Sequence, residues 1–151
     1  MDHIVYLNSK AGELENMFAG IKSMIIRGAE GRKIPYGRVS KGDTLYFINN
    51  NGEGAIKAKG TVESVLNTEK LTVEESFETI IRHQDKLQLP DEQFDRIAGK
   101  RYLVLIALSE IQEIKPIAFD KSDFMNADDW IPVGDIIEYI RTTEQQDLKT
   151  A

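Results

Sequence analysis

Two strand-like segments joined by a turn signal limit the fold of this chain more than any other feature. Residues Thr44 to Ile48 are rich in β-branched and aromatic side chains, and residues Ala55 to Leu66 alternate apolar with polar side chains. The run Asn49 to Gly52 between them is typical of a hairpin turn. Gly60 interrupts the second segment, which predicts a bulge or a bend where a sheet curls. The sequence therefore predicts a curved antiparallel strand pair.

A strand and a helix precede this hairpin. Residues His3 to Leu7 are typical of a strand, and Asn8 with Ser9 is a plausible start for a helix over about residues 10–19. Gly20 is placed to end that helix. Residues Lys22 to Arg27 then predict a short strand. Residues Gly31 to Val39, which contain Pro35, predict a loop or the entry to an edge strand.

Two helices and two strands are predicted after the hairpin. Thr72 with Glu75 three residues later forms a capping-box pattern, so a second helix is expected to end near Leu87. Its predicted apolar face consists of Val73, Phe77, Ile80, Ile81 and Leu87. The other predicted elements are a short helix from Pro90 to Gly99, a strand from Arg101 to Ile114 that Pro116 stops or bends, an acidic loop from Asp120 to Asp129, a strand from Trp130 to Val133, and a helix from Gly134 to Ile140.

This order of elements excludes the common parallel α/β architectures. Strands in hairpin succession, with helices gathered in two places, do not form a doubly wound parallel sheet. We expect an α+β protein with a small, curled, mostly antiparallel barrel flanked by helices. Residues 1–140 are predicted to form one domain, and residues 141–151 a solvated tail.

The composition narrows the class of protein further. The chain has no cysteine and only two distant histidines, which excludes a disulfide framework and thiolate zinc sites. The longest strongly apolar run, Tyr102 to Leu108, is too short to span a bilayer, and the N-terminal residues show no signal pattern. We therefore expect a cytoplasmic protein. No sequence pattern indicates a metal or another cofactor, and Asp128 with Asp129 lacks a third ligand in a recognisable spacing.

The charge of the chain is uneven. Residues 1–64 carry 9 Lys+Arg and 7 Asp+Glu, whereas residues 65–151 carry 10 and 18. Within the first part, residues 18–43 hold six basic side chains and only two acids. Such a distribution disfavours binding to long duplexes, which requires a broad positive surface. It is compatible with a small anion, a nucleotide or a few nucleotides held locally.

Several residues of this basic segment match a known signature. Gly20, Lys22 and Arg27, followed by Gly42–Asp43 before a strand, occupy signature positions of the ASCH family of the PUA-like superfamily, which the chain resembles. That signature also has a Glu between its Lys and its Arg, and Ile25 stands in that position. The segment from Tyr102 to Val133 is similar to the last strands of ASCH and related EVE domains. The resemblance covers most of residues 1–137.

The resemblance implies a PUA-like, mostly antiparallel β-barrel of five to six strands with about three flanking helices. It also implies a cleft between the first helix and the barrel, in which relatives hold RNA or a modified base. Tyr36 and Trp130 are candidates to stack on a base, a contact worth about 1–3 kcal/mol. Arg38, with its neighbours Arg32 and Lys33, is suited to steer an anion. The candidate ligand-binding residues are thus Lys22, Arg27, Tyr36, Arg38 and Trp130.

A hydrolase is an alternative function. One branch of the family resembles acetylcytidine amidohydrolases, in which the signature Lys, a Thr at the signature Glu position and a later Glu carry acyl chemistry. Ile25 removes the hydroxyl from that position, so Ser23 would have to be a displaced nucleophile. Lys22 would be its base, provided that its pKa is lowered, and Asp85 an acid.

A protein-interaction domain is a third alternative. Residues 74–95 and 120–129 are rich in acids and predict a partner with a basic surface. Of the three alternatives, the resemblance favours a module that binds RNA or a modified nucleoside. Ile25 argues against the enzyme.

Overall fold

A computed structural model of the chain describes residues 1–124 and 129–141. A 3-10 turn at Lys121–Phe124 precedes the last strand, and residues 136–141 are helical. The other elements, in chain order, are β1 (Asp2–Leu7), α1 (Glu13–Phe18), β2 (Met24–Ala29), β3 (Thr44–Asn49), β4 (Ala55–Asn67), α2 (Val73–Leu87), α3 (Asp91–Ile97), β5 (Tyr102–Ala118) and β6 (Trp130–Gly134).

The six strands form one curled sheet in the order β2-β5-β4-β3-β1-β6. β1 and β3 are parallel, and the other neighbouring strands pair antiparallel. β2 and β6 lie at the two ends of this order. The predicted α+β class and the mostly antiparallel PUA-like barrel are confirmed.

The predicted hairpin is present as β3 and β4, and Gly60 explains where β4 bends. Gly60 pairs with Leu45, and the register of β4 against β5 shifts between Lys59 and Thr61. A Cβ atom on Gly60 would lie 2.6 Å from Cδ1 of Ile111 and 3.3 Å from Cε2 of Phe47. Side chains of the neighbouring strands thus fill the space that the glycine leaves free.

Three apolar clusters make up the core. The first packs α1 residues Leu14 and Met17 against the inner face of the sheet, together with Trp130. The second packs α2 residues Ile80 and Leu87 against β2 and β5. The third joins β1, β3 and β4 to β6 and the helical residues 136–141. Residues from all parts of the described chain therefore contribute to the core.

Three elements begin or end at residues other than those predicted. α1 begins at Glu13 rather than near residue 10, because Asn8 Oδ1 accepts a hydrogen bond of 3.0 Å from the Ala11 N–H and holds a turn first. β2 begins at Met24, so Lys22 precedes the strand. β5 continues past Pro116 to Ala118; the proline coincides with an irregular pairing in which the register against β4 moves from Glu113 to Ile117.

α2 differs from its prediction on one side. Thr72 and Glu75 form the predicted capping box, and Ile80 and Leu87 are buried as expected. Val73, Phe77 and Ile81 were predicted to lie on the same buried face, and this prediction is wrong, because all three are exposed. The helix faces the sheet with Ser76, Thr79, Ile80 and Leu87, which leaves this flank of its apolar side outside the core.

No helix in residues 1–124 and 129–141 is long and apolar enough to cross a membrane. The middle of the predicted acidic loop, residues 125–128, and the predicted tail beyond residue 141 lie outside the described residues. The division into a domain over residues 1–140 and a tail over 141–151 stays a prediction.

The capping box of α2 gives a first test of the fold. Replacing Thr72 with Ala removes the side-chain acceptor of the Glu75 N–H, so we expect the free energy of unfolding to fall by about 1 kcal/mol. Thr72→Ser retains the hydroxyl and is expected to lose much less. Urea unfolding followed by circular dichroism measures both. Equal stability of Thr72→Ala and the parent chain would show that the cap contributes nothing.

Candidate functional site

A cavity of about 810 Å³ lies at the end of β1, between the loop that follows this strand, β2, the loop at residues 31–36, and α3. Sites for small molecules and cofactors usually have volumes of about 300–1,000 Å³. The cavity is therefore large enough for a ligand of nucleoside size.

Charged side chains of both signs line this cavity. Three of the residues are acidic, namely Glu13, Glu92 and Asp129, and five are basic, namely Lys10, Arg27, Lys33, Arg96 and Lys100. Arg96 lies 3.4 Å from Glu92 in an exposed pair, and Lys100 lies 3.8 Å from Glu30. Within the described part of the chain, no group of three or more His, Asp or Glu side chains could hold a metal ion.

Arg27 is the half-buried cation of the cavity. It is a residue of the edge strand β2. Its Nη2 donates a hydrogen bond of 2.7 Å to the Tyr6 carbonyl, and its Nη1 donates one of 2.9 Å to the Ile26 carbonyl. Its guanidinium carbon lies 5.7 Å from the ring centroid of Trp130. Burial lowers the pKa of Arg27, and Glu13 and Asp129 oppose this effect, so the group stays charged.

The guanidinium retains hydrogen-bonding capacity. An arginine side chain has five N–H groups, and the two carbonyls account for two of them. None of the residues in 1–124 and 129–141 accepts a further hydrogen bond from Arg27. Donors of Arg27 are therefore available to a ligand in the cavity.

Glu13 and Lys22 form a buried ion pair beside Arg27. Glu13 Oε2 accepts a hydrogen bond of 2.7 Å from the Asn8 N–H, and Oε1 lies 3.6 Å from Lys22 Nζ, which also donates to the Leu87 carbonyl. Burial lowers the pKa of Lys22, the Glu13 carboxylate opposes this effect, and the nearby Arg27 adds to it. Glu13 lines the cavity, whereas Lys22 lies behind it.

Gln93 is the second residue with unused hydrogen-bonding capacity. It lies on α3, lines the cavity and is only 8% exposed. Its Oε1 is buried and has no hydrogen-bond partner in the part of the chain that the structure describes. Buried polar atoms nearly always have a partner, so within the described chain Gln93 Oε1 is an unsatisfied acceptor in a residue that lines the cavity.

Aromatic rings form another part of the wall. The rings of Tyr36 and Tyr102 meet edge to face with 5.7 Å between their centroids, and the Tyr36 hydroxyl donates to the Thr68 carbonyl. The guanidinium of Arg32 lies 5.6 Å and 5.7 Å from the two ring centroids. The Tyr36 hydroxyl is thus occupied, and the ring is the part of this residue that is available for a contact.

Two buried side chains, His3 and Asp43, hold Trp130 in place through successive hydrogen bonds. Its indole Nε1 donates a hydrogen bond of 3.1 Å to His3 Nδ1, and His3 Nε2 lies 2.9 Å from Asp43 Oδ2. Because an indole N–H can only donate, His3 Nδ1 is the acceptor, and His3 Nε2 donates to Asp43. Burial would raise the pKa of Asp43, but the Ser40 N–H and His3 outweigh it and hold that pKa below its ordinary value.

The structure thus brings together three of the predicted ligand-binding residues. Arg27, Tyr36 and Trp130 all line the cavity. Lys22 is 2% exposed and reaches the site only through Glu13. Arg38 is exposed and does not line the cavity.

The residues predicted for the hydrolase alternative are not assembled in the cavity. Ser23 and Asp85 are exposed, and neither they nor Lys22 line it. The side chain of Ile25 is fully buried in the first core cluster.

Sequence reasoning missed Glu13, Gln93 and the rim lysines Lys10 and Lys100. Glu13 and Gln93 each stand in the first turn of a short helix, where an acidic or polar residue is ordinary. No local signal separates a buried polar residue from an exposed one at such a position. These residues can be identified as part of the site only when it is known which elements pack around the cavity.

The fold is that of an ASCH-like domain, which confirms the resemblance predicted from the signature residues. The structure is similar to ASCH from Zymomonas mobilis, with a TM-score of 0.66, 15% identity and 94% of each chain covered. A point mutant of the same Zymomonas mobilis protein gives a TM-score of 0.65, with 15% identity over 97% of this chain and 95% of that one.

The N-terminal domain of Staphylothermus marinus McrB is also similar, with a TM-score of 0.52, 12% identity and 93% of each chain covered. No protein-family model matches the sequence, and no curated protein sequence is significantly similar to it. At these identities the similarity concerns the fold.

The buried ion pair gives a test of the site's architecture. Replacing Lys22 with Met leaves the Glu13 carboxylate buried without its cation, so we expect the free energy of unfolding to fall by about 3–5 kcal/mol. The double variant Glu13→Gln with Lys22→Met removes both charges and is expected to recover most of this loss. Chemical unfolding of the parent, both single variants and the double variant measures the coupling. Strictly additive losses would contradict the pairing.

Proposed function

We propose that the cavity binds a single nucleobase, presented by RNA or by a modified nucleoside, and that Arg27 and Gln93 bind the polar edge of the base. The observation that carries this proposal is unused hydrogen-bonding capacity of both kinds in one cavity. Arg27 has N–H groups without an acceptor, and Gln93 has a buried oxygen without a donor, in the described part of the chain.

The polar edge of a nucleobase fits this combination. Every base presents ring nitrogen or carbonyl acceptors next to N–H donors. Arginine can only donate, so Arg27 would bind a carbonyl oxygen or an unprotonated ring nitrogen, while Gln93 Oε1 would accept from a ring N–H or an exocyclic amine. Because hydrogen bonds are stronger in a partly desolvated cavity than in water, two such contacts would contribute to selective binding.

The cavity walls and its rim suit the rest of a nucleotide. The rings of Tyr36 and Tyr102 provide apolar surface for a base, and stacking on one ring is worth about 1–3 kcal/mol. Trp130 also lines the cavity, but this residue is 2% exposed and its ring lies under the Arg27 guanidinium. Lys10 and Lys100 lie at the cavity, where they would attract a phosphate. Arg38, outside the cavity, would add to long-range steering.

Lys22 has a supporting role in this proposal. Its ammonium neutralises the Glu13 carboxylate, which in turn stands close enough to Arg27 to oppose the loss of the arginine's charge. The ASCH resemblance supports RNA or a modified base as the ligand, although a fold by itself is weak evidence for a function. The lowered pKa of Lys22, which burial causes, meets one condition of the hydrolase alternative, but Lys22, Ser23 and Asp85 do not line the cavity.

The single tryptophan provides the experiment. Trp130 lines the cavity, so a bound base is expected to quench its fluorescence in titrations with the four ribonucleosides, acetylcytidine and short single-stranded RNA. We expect Gln93→Ala and Arg27→Lys each to weaken binding by about tenfold, because each removes a ligand contact worth 1–3 kcal/mol. Gln112→Ala and Arg82→Lys, matched exposed residues outside the cavity, should leave binding unchanged.

The stability of Gln93→Ala separates binding from folding. Because Oε1 has no partner in the described chain, its removal breaks no hydrogen bond, so the free energy of unfolding should fall only by the cost of truncating the buried stem of Gln93. If Gln93→Ala and Arg27→Lys both bind as strongly as the parent chain, the assigned contacts are wrong. If neither nucleosides nor short strands bind at all, the proposed function fails, and release of cytidine from acetylcytidine would favour the hydrolase instead.

A further inference from the structure

α2 carries an exposed apolar stripe that the core does not use. Val73, Phe77 and Ile81 are 56%, 39% and 62% exposed, and their spacing of four residues places them on one side of the helix. Phe77 packs in part against Phe94 of α3, and the rest of the row faces outward. Scattered apolar residues on a surface need no explanation, but a contiguous row of three does.

Acidic side chains border this stripe on both sides. At about 100° per residue, Glu74, Glu78 and Asp85 follow the stripe along the outer face of α2. On the other side lies α3, whose Phe94 ring meets the Phe77 ring with 5.8 Å between centroids. The exposed α3 residues Asp91 and Asp95 continue the acidic border there.

We propose that this α2–α3 face, formed by Val73, Phe77, Ile81 and Phe94 with its acidic border, binds a basic amphipathic helix of a partner protein. An apolar row at helical spacing beside a second helix is a surface into which one face of a partner helix packs. The acidic border selects a partner whose apolar face is flanked by lysine or arginine, because opposite charges favour the encounter and like charges penalise it.

The charge of the face argues against two other occupants. In a symmetric pair of two copies of this chain, the acidic borders would face each other and repel. A nucleic acid would bring phosphates to carboxylates. Neither repulsion depends on which ligand the cavity binds, so the proposed α2–α3 interface is independent of the proposed function.

A synthetic peptide of leucine and lysine, with the leucines in one helical stripe, is the probe. Titration into the ¹⁵N-labelled full chain should perturb amide resonances of α2 and α3, and binding should weaken at high salt. Ile81→Gln should weaken binding by about tenfold. Ile137→Gln, a matched change at a residue 54% exposed in another helix, should leave it unchanged.

Two control peptides distinguish specific recognition from nonspecific binding. A peptide of the same composition in scrambled order, and one with glutamate in place of lysine, should bind much more weakly. Equal binding of either control, perturbations away from α2 and α3, or no binding of the basic peptide would overturn the proposal. A dimer that forms with rising protein concentration and is abolished by Ile81→Gln would identify a second copy as the occupant instead.

Discussion

The guanidinium of Arg27 connects the two ends of the sheet. Backbone pairing leaves β2 and β6 as edges, and Arg27, anchored on β2, donates to the Tyr6 carbonyl on β1 and lies over the Trp130 ring of β6. A side chain thus spans the opening that the hydrogen-bond ladder does not close. The buried pair of Glu13 and Lys22 lies next to it, and the guanidinium that bridges the two edge strands also belongs to a residue that lines the cavity.

α3 lies between two surfaces of opposite character. Gln93 lines the mixed, cation-rich cavity, while Phe94, the next residue, packs against Phe77 in the acidic α2–α3 face. Arg27 and Lys33 of the basic segment line the cavity, and three further cations there, Lys10, Arg96 and Lys100, come from other parts of the chain.

Local sequence patterns predicted the structural features whose formation depends on residues close by in the chain or on an adjacent strand. The capping box at Thr72 and the glycine bend at Gly60 involve backbone chemistry within one or two strands or a helical turn, and both are present. The burial of Glu13 and Gln93 depends on the packing of distant elements. On α2, a period of 3.6 residues cannot distinguish Ile80, which packs on the sheet, from Ile81, which faces outward.

We infer that Arg27 bridges the two edge strands and binds a ligand with the same guanidinium. A crystal structure of the protein with whichever nucleoside binds best would test this inference most directly. We expect the base within hydrogen-bond distance of both Arg27 and Gln93, with the Arg27 bond to the Tyr6 carbonyl retained. A base bound elsewhere, or an Arg27 side chain that must leave Tyr6 to reach the base, would contradict it.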